Sequence, residues 1–169
     1  MKGVEVRRVE TLPPARAPEI EELGRRVSLT EAARLAGFRP RVPADLGPPD
    51  EVRFDAAARF VTLVYDPGAK DPLIVAQGAA TLDERLVRKV LPAGSRIREI
   101  DVDGEPGVFL SGARHGYLLL LLRPDGTTTE DRTRLAANTL IFNRDELVVR
   151  IESRGLRLDR ALAIARSLR

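Results

Sequence analysis

The second half of the chain alternates strand-like runs with two- or three-residue turn signals, and this pattern restricts the fold more than any other feature. The clearest signal is Asp103-Gly104, which stands between the runs 95–102 and 106–110 and has the composition of a tight β-hairpin turn. A similar signal follows at 143–145. Strands joined by turns this short are antiparallel, because a parallel pair needs a long crossover. The chain is therefore expected to build an antiparallel sheet.

The first half adds further strands to this sheet. The runs 51–54, 60–65 and 73–77 are rich in β-branched and other apolar residues. Before them, residues 40–49 contain several prolines and can form only a loop or a sheet edge. Taken with the second half, these runs predict about six to eight strands arranged mainly as a meander of hairpins.

Helix signals are fewer than strand signals. A capping box at 28–31 opens a short alanine-rich helix that Gly37 ends, and a second box at 81–84 predicts a helix as far as Val90. A last helix begins near Leu158, with its apolar residues at helical spacing. The predicted fold class is α+β, an antiparallel sheet covered by two or three helices.

Length and composition favour one domain. The chain has 169 residues, 43% of them apolar and 31% charged, which is typical of a globular protein rather than a disordered chain. Residues 1–23 include the proline-rich stretch 12–18, whose composition is that of an extended spacer. We expect 1–23 to be an extended tail or stalk and 24–169 to be a single α+β domain.

Residue types exclude many kinds of site. The absence of cysteine excludes disulfides, thiolate metal sites and a cysteine nucleophile, and His115 is the one histidine. Ser111 and His115, with Asp101 or Asp103, are the candidates for a nucleophilic triad. Ser111 lacks the G-x-S-x-G elbow, and a lone histidine at the start of a strand is more often structural. The sequence therefore predicts no catalytic residue.

No metal or cofactor signature is present either. A calcium loop beginning at Asp101 would need glycine and glutamate where the chain has Pro106 and Gly112, and the chain has no glycine-rich phosphate loop. We expect no metal and no cofactor. A hydrolase that uses two carboxylates, or His115, stays open as an alternative, because any two acids can meet in a fold.

The charge distribution argues against a nucleic-acid partner. The net charge is +3, but the arginines are spread along the chain near acidic residues. Aromatic residues make up 4% of the chain and tryptophan is absent, so base-stacking side chains are few. The sequence also contains no apolar run as long as a signal peptide core or a membrane span. Two interpretations follow: a cytosolic protein, or a soluble part with a membrane anchor upstream.

A set of segments between Gly24 and Arg169 carries a resemblance to a known family. In order along the chain they are 24–38 (G-x-x-VSLTEAA-x-x-AGF), 42–52 (VP-x-x-LGPPDEV), 61–65 (VTLVY), 102–110 (VDGEPGVFL), His115, 134–142 (RLAANTLIF), 150–152 (RIE) and 161–168 (ALAIARSL).

These segments resemble an uncharacterised extracytoplasmic domain that follows a single membrane helix in high-G+C Gram-positive bacteria, sometimes in proteins related to anti-sigma factors. Family members often have tryptophan where this chain has Phe109 and Phe142, and glycine where it has Ala137. The resemblance implies that 1–23 is the stalk of a membrane-anchored parent protein and that the domain lies on the extracytoplasmic face of the membrane. It implies no activity.

The leading hypothesis is a non-enzymatic sensor or regulatory domain that binds a protein partner or an apolar small molecule, without nucleic acid. The strands 61–65, 73–76 and 118–122 could line an apolar concavity or simply form the core. A cytosolic interaction module is the alternative. Loops on a rigid sheet commonly form binding surfaces, so the candidate binding residues are Pro43, Leu46, Tyr65, Asp103, Glu105 and His115.

Overall fold

The computed structural model of the protein describes residues 20–82, 95–112, 117–122, 124–133 and 138–169. Within these residues, a 3-10 turn at Ile20–Leu23 and two α-helices are present: α1 (Leu29–Ala36) and α2 (Leu158–Arg166). The strands are β1 (Arg25–Val27), β2 (Glu51–Asp55), β3 (Phe60–Tyr65), β4 (Leu73–Gly78), β5 (Thr81–Leu82), β6 (Ser95–Val102), β7 (Glu105–Gly112), β8 (Tyr117–Leu122), β9 (Thr128–Thr133), β10 (Asn138–Arg144) and β11 (Leu147–Ser153).

Eight of these strands form one antiparallel sheet, in the order β1-β2-β3-β4-β11-β10-β7-β6. Every neighbouring pair in it is antiparallel. Together with the two helices, this sheet confirms the predicted α+β class. The last hairpin, β10–β11, lies in the middle of the sheet and so joins the strands of the first half to those of the second.

The hairpin between β6 and β7 forms where the sequence predicts it. Its two turn residues both have positive φ, 56° at Asp103 and 88° at Gly104. A two-residue turn of this kind matches the right-handed twist of the strands, and glycine adopts its second position without steric cost. The Asp101 carboxylate accepts a hydrogen bond of 2.9 Å from the Gly104 N–H, which stabilises the turn. The Asp101–Glu105 segment is thus a hairpin.

The second half departs from a continuous meander. β7 pairs with β10, so the intervening β8–β9 hairpin leaves the main sheet and joins β5 in a three-stranded sheet ordered β5-β8-β9. The leucine-rich run of the sequence is the middle strand of that small sheet. The helix predicted from Thr81 is corrected at its start: Thr81–Leu82 is a strand paired with the end of β8, and 83–90 lies outside the described residues.

The helices and the sheet share one apolar core. Ala32 and Ala36 of α1 and Ala161 and Ala165 of α2 are buried in the same cluster as Phe142. Alanine lets a helix backbone approach a neighbouring element closely, which fits the alanine-rich faces read from the sequence. The Ser28 hydroxyl begins α1 by accepting from an amide in the first turn.

The opposite face of the sheet is buried as well. Phe60, Ala76, Val108, Ile141 and Val148 form a second apolar cluster there. Because β3 is buried along its whole length, its side chains serve as core on both faces. The strand runs that could have lined an open concavity in the first half of the chain are used for packing.

The loop 40–49 crosses from one end of the sheet to the other. Gln77 is fully buried, and its side-chain amide forms two hydrogen bonds of 2.8 Å with the backbone of Arg41. The backbone of Val42 then pairs with that of Arg169, and Pro43 forms an isolated bridge with Leu168. The loop is therefore fixed to the sheet and to the C-terminal residues. Among the described helices, none combines the length and apolarity that crossing a bilayer requires.

Candidate functional site

Three of the candidate residues, Pro43, Leu46 and Tyr65, are brought together by the loop 40–49. Pro43 is buried and its carbonyl accepts from the Leu46 N–H at 3.1 Å, while Leu46 packs partly buried against the core. The Tyr65 hydroxyl donates to the Gly47 carbonyl at 3.2 Å. These contacts fix the loop on the sheet, so the three residues form a packed junction in this structure.

The environment of Tyr65 perturbs its ionisation. The side chain is buried at the end of β3. Burial, with the nearby Asp50 carboxylate, raises the pKa of Tyr65 to about 12. The phenol is neutral at physiological pH and serves as a hydrogen-bond donor to the loop.

Asp103 and Glu105 lie at a different place, the tip of the β6–β7 hairpin. The Asp103 carboxylate accepts from Arg144 at 3.2 Å and lies 3.3 Å from the Arg166 guanidinium. Arg144 also donates to the carbonyl of Ala165, at the end of α2. Asp103 thus joins the hairpin tip to the last turn of α2, where cationic side chains are favoured by the helix dipole. Glu105 begins β7 opposite Val102 and is half-buried.

His115 lies outside the described residues, as does any geometry of the Ser111–His115 pair. Within the described ranges, no group of three or more acidic or histidine side chains could hold a metal ion. The six candidate residues therefore divide into a packed junction, a hairpin tip and one residue that the structure does not describe.

The outer strand β6 is a feature that the sequence reasoning missed. It is eight residues long and ends the sheet on one side, and among the described strands nothing pairs with its outer edge. Four consecutive residues, 96–99, are exposed. Ile97 is 39% exposed and is the one exposed large hydrophobic side chain in the described part of the chain. The opposite edge strand, β1, has only three residues.

The hairpin turn fixes which backbone groups of β6 point outward. A β-turn carbonyl accepts from the amide three residues on, so Val102 and Glu105 are a hydrogen-bonded pair. Bonded and non-bonded pairs alternate along an antiparallel ladder, so Arg98 and Arg96 bond inward to β7. Ile97 and Glu99, between them, direct their N–H and C=O groups away from the sheet. β6 therefore presents an ordered row of outward backbone donors and acceptors.

A sequence signal for this edge existed. In the run 95–102, both faces of the strand carry charged residues: Arg96 and Arg98 on one face, and Glu99 and Asp101 on the other. A strand inside a sheet buries at least one of its faces, so charged residues on both faces are typical of an edge strand. Asp103, which was selected as a candidate residue, lies at the end of this strand.

Comparisons of the chain with protein-family models, with curated proteins and with solved structures give no match. The candidate surface is therefore defined by the chain's own geometry: a long exposed edge strand beside a hairpin tip that ion pairs join to α2.

Proposed function

We propose that this domain is a protein-binding module that captures an extended partner segment along the outer edge of β6. The observation that carries the proposal is the outer edge of β6, eight residues or about 27 Å of strand with which no other described strand pairs. A peptide that adds to a sheet edge gains main-chain hydrogen bonds for affinity, while the side chains next to it decide specificity.

The contrast between the two edges of the main sheet supports this assignment. Proteins protect sheet edges by making the edge strand very short, and β1 at one edge follows that rule. β6 does not, and it exposes Ile97 within the stretch 96–99, whose other residues are charged. The apolar residue adds contact area for a partner, while the charges limit indiscriminate pairing.

In the cell, we propose that the module belongs to a membrane-anchored parent protein and works on the extracytoplasmic face as a sensor or regulatory domain. The resemblance of 24–169 to anchored extracytoplasmic domains supports this placement. In this arrangement α1 and α2 cover one face of the sheet, and the tail 1–23 is the stalk. The test is an immunoblot of separated membrane and cytosolic fractions: a band heavier than 18.6 kDa in the membranes agrees with the proposal. A band at that mass in the cytosol favours a cytosolic interaction module.

The binding proposal is tested by panning a displayed library of random 12-residue peptides on the immobilised protein. The counter-target is the Ile97→Pro variant, which removes one outward N–H and leaves the inward ladder to β7 intact. The matched control is Ile97→Thr, which keeps the N–H and β propensity but shortens the apolar side chain. Circular dichroism and thermal unfolding of both variants check that they fold.

We expect enriched peptides to bind the unaltered protein and Ile97→Thr, and to lose at least about tenfold in affinity for Ile97→Pro, because each lost main-chain bond also leaves a peptide carbonyl unpaired. Peptides that bind all three proteins equally would show that the site lies elsewhere. A library that yields no binder would overturn the proposal.

A further inference from the structure

We infer that the segment captured by β6 is acidic, with carboxylate side chains at alternate positions facing Arg96 and Arg98. This inference rests on the proposed function and specifies its partner. It comes from the positions and charges of the side chains on each face of the edge strand.

The register places both arginines on one face of the sheet. Arg96 is opposite Ser111 and Arg98 is opposite Phe109, and residues directly opposite in an antiparallel pair share a face. The two arginines are separated by one residue, so they stand about 7 Å apart along the strand. An added strand has the same repeat, and two of its alternate side chains would face the two guanidinium groups.

The two arginines have no partner of their own in the described part of the chain. Both are exposed, and no ion pair or side-chain hydrogen bond within the described ranges involves either of them. Two other exposed arginines do have local partners: Arg25 lies 2.7 Å from Glu31, and Arg157 lies 3.2 Å from Asp159. Two exposed guanidinium groups on alternate residues, with no ion-pair partner in the described ranges and on an edge that no described strand joins, favour a ligand that brings carboxylates.

The same charges disfavour a second copy of this chain as the occupant. Two copies that continue the sheet across a two-fold axis must place the same face of each β6 on the same side. When the two strands are centred on Ile97, Arg96 of one copy lies opposite Arg98 of the other, and like charges directly opposite each other are destabilising. A hetero-partner with acidic residues has no such cost.

The test uses two synthetic ten-residue peptides that alternate a charged residue with threonine, one with glutamate and its twin with lysine. We expect the glutamate peptide to bind the protein about tenfold more tightly than the lysine peptide at low salt, since each exposed ion pair contributes only modestly. The Arg96→Glu/Arg98→Glu variant should reverse this preference. The matched control is Arg34→Glu/Arg160→Glu, which changes the net charge equally at exposed helix positions and should leave the preference intact.

The outcomes separate this inference from the proposal on which it rests. Equal binding of both peptides that is lost in Ile97→Pro would retain the edge site and overturn the acidic partner. A preference that survives the charge reversal at β6, or that the helix control also reverses, would overturn it too. Binding of neither peptide would overturn both the acidic partner and the edge site. A dimer that is seen by sedimentation and that Ile97→Pro dissociates would also overturn both.

Discussion

At the scale of single residues, the feature on which stability depends most strongly is a buried ion pair within the sheet. Arg150 and Glu152 lie on the same face of β11, the guanidinium Nε is 3.0 Å from the carboxylate, and their side chains are 9% and 2% exposed. Two charges removed from water depend on each other, because a buried charge without its partner carries a large desolvation penalty. The pair is therefore a sensitive position for stability.

We expect Glu152→Ala to lower the free energy of unfolding by about 3–5 kcal/mol, since it leaves the Arg150 charge buried. Urea denaturation measures this as a lower midpoint at unchanged slope. The double variant Arg150→Met/Glu152→Leu should be clearly more stable than Glu152→Ala, because it removes both charges and keeps the volume. A double variant less stable than Glu152→Ala would show that other polar contacts, and not the ion pair, set the cost.

Tyr65 gives a prediction about alkaline pH. Its pKa is about 12 in the folded protein and near 10 in an unfolded chain. Because the folded state holds the proton more tightly, the stability that this phenol contributes is complete below about pH 10 and is lost as the pH rises towards 12. We expect Tyr65→Phe to lose less stability than the unaltered protein between about pH 10 and 12, measured by urea unfolding at each pH. Parallel losses in the two proteins would contradict the assigned burial of the phenol.

At the scale of elements, the contact between β7 and β10 decides the topology. A Cβ added at Gly107 would lie 2.8 Å from the Cβ of Phe142 and 2.9 Å from the carbonyl oxygen of Ile141. The two strands approach closely at this point because Gly107 has no side chain.

Gly107→Ala is therefore expected to destabilise the protein by about 1–3 kcal/mol, because backbone atoms of β10 must move to admit the methyl group. Thermal unfolding measures the effect. Gly68→Ala, at a turn where an added Cβ meets nothing within 4 Å, is the control and should change stability little. Equal effects of the two substitutions would mean that β7 and β10 can separate without cost.

At the scale of the whole molecule, the outer edge of β6, which no other described strand pairs with, predicts the state of association. The charges of Arg96 and Arg98 should prevent two copies of the protein from pairing along this edge, as charged residues on edge strands do in other sheets. We expect Arg96→Val/Arg98→Val to self-associate at concentrations where the unaltered protein sediments as a monomer. Arg34→Val/Arg160→Val, with the same loss of charge on the helices, should remain monomeric. Dimerisation of both variants would show that the lower net charge, and not the loss of the two charges on β6, causes the association.

Local signals in the sequence predicted most elements and little of the candidate site. The β6–β7 hairpin and the limits of α1 depend on turn and cap chemistry within a few residues, so Asp103-Gly104 and Ser28 were sufficient to predict them. The strand at Thr81–Leu82 was missed because its capping box competes with long-range pairing to β8. Pro43, Leu46 and Tyr65 are candidate binding residues in the sequence, and the fold brings them together in a packed junction.

The sequence by itself determined the antiparallel class, the β6–β7 and β10–β11 hairpins and the starts of α1 and α2, because steric and hydrogen-bonding preferences act between near neighbours. Tertiary structure alone decided that β7 joins β10 and that the β8–β9 hairpin leaves the main sheet. That choice depends on packing between residues distant in the chain, such as Gly107 against Phe142. It also made β6 an edge strand, since whether a strand has one neighbour or two is a property of the whole sheet.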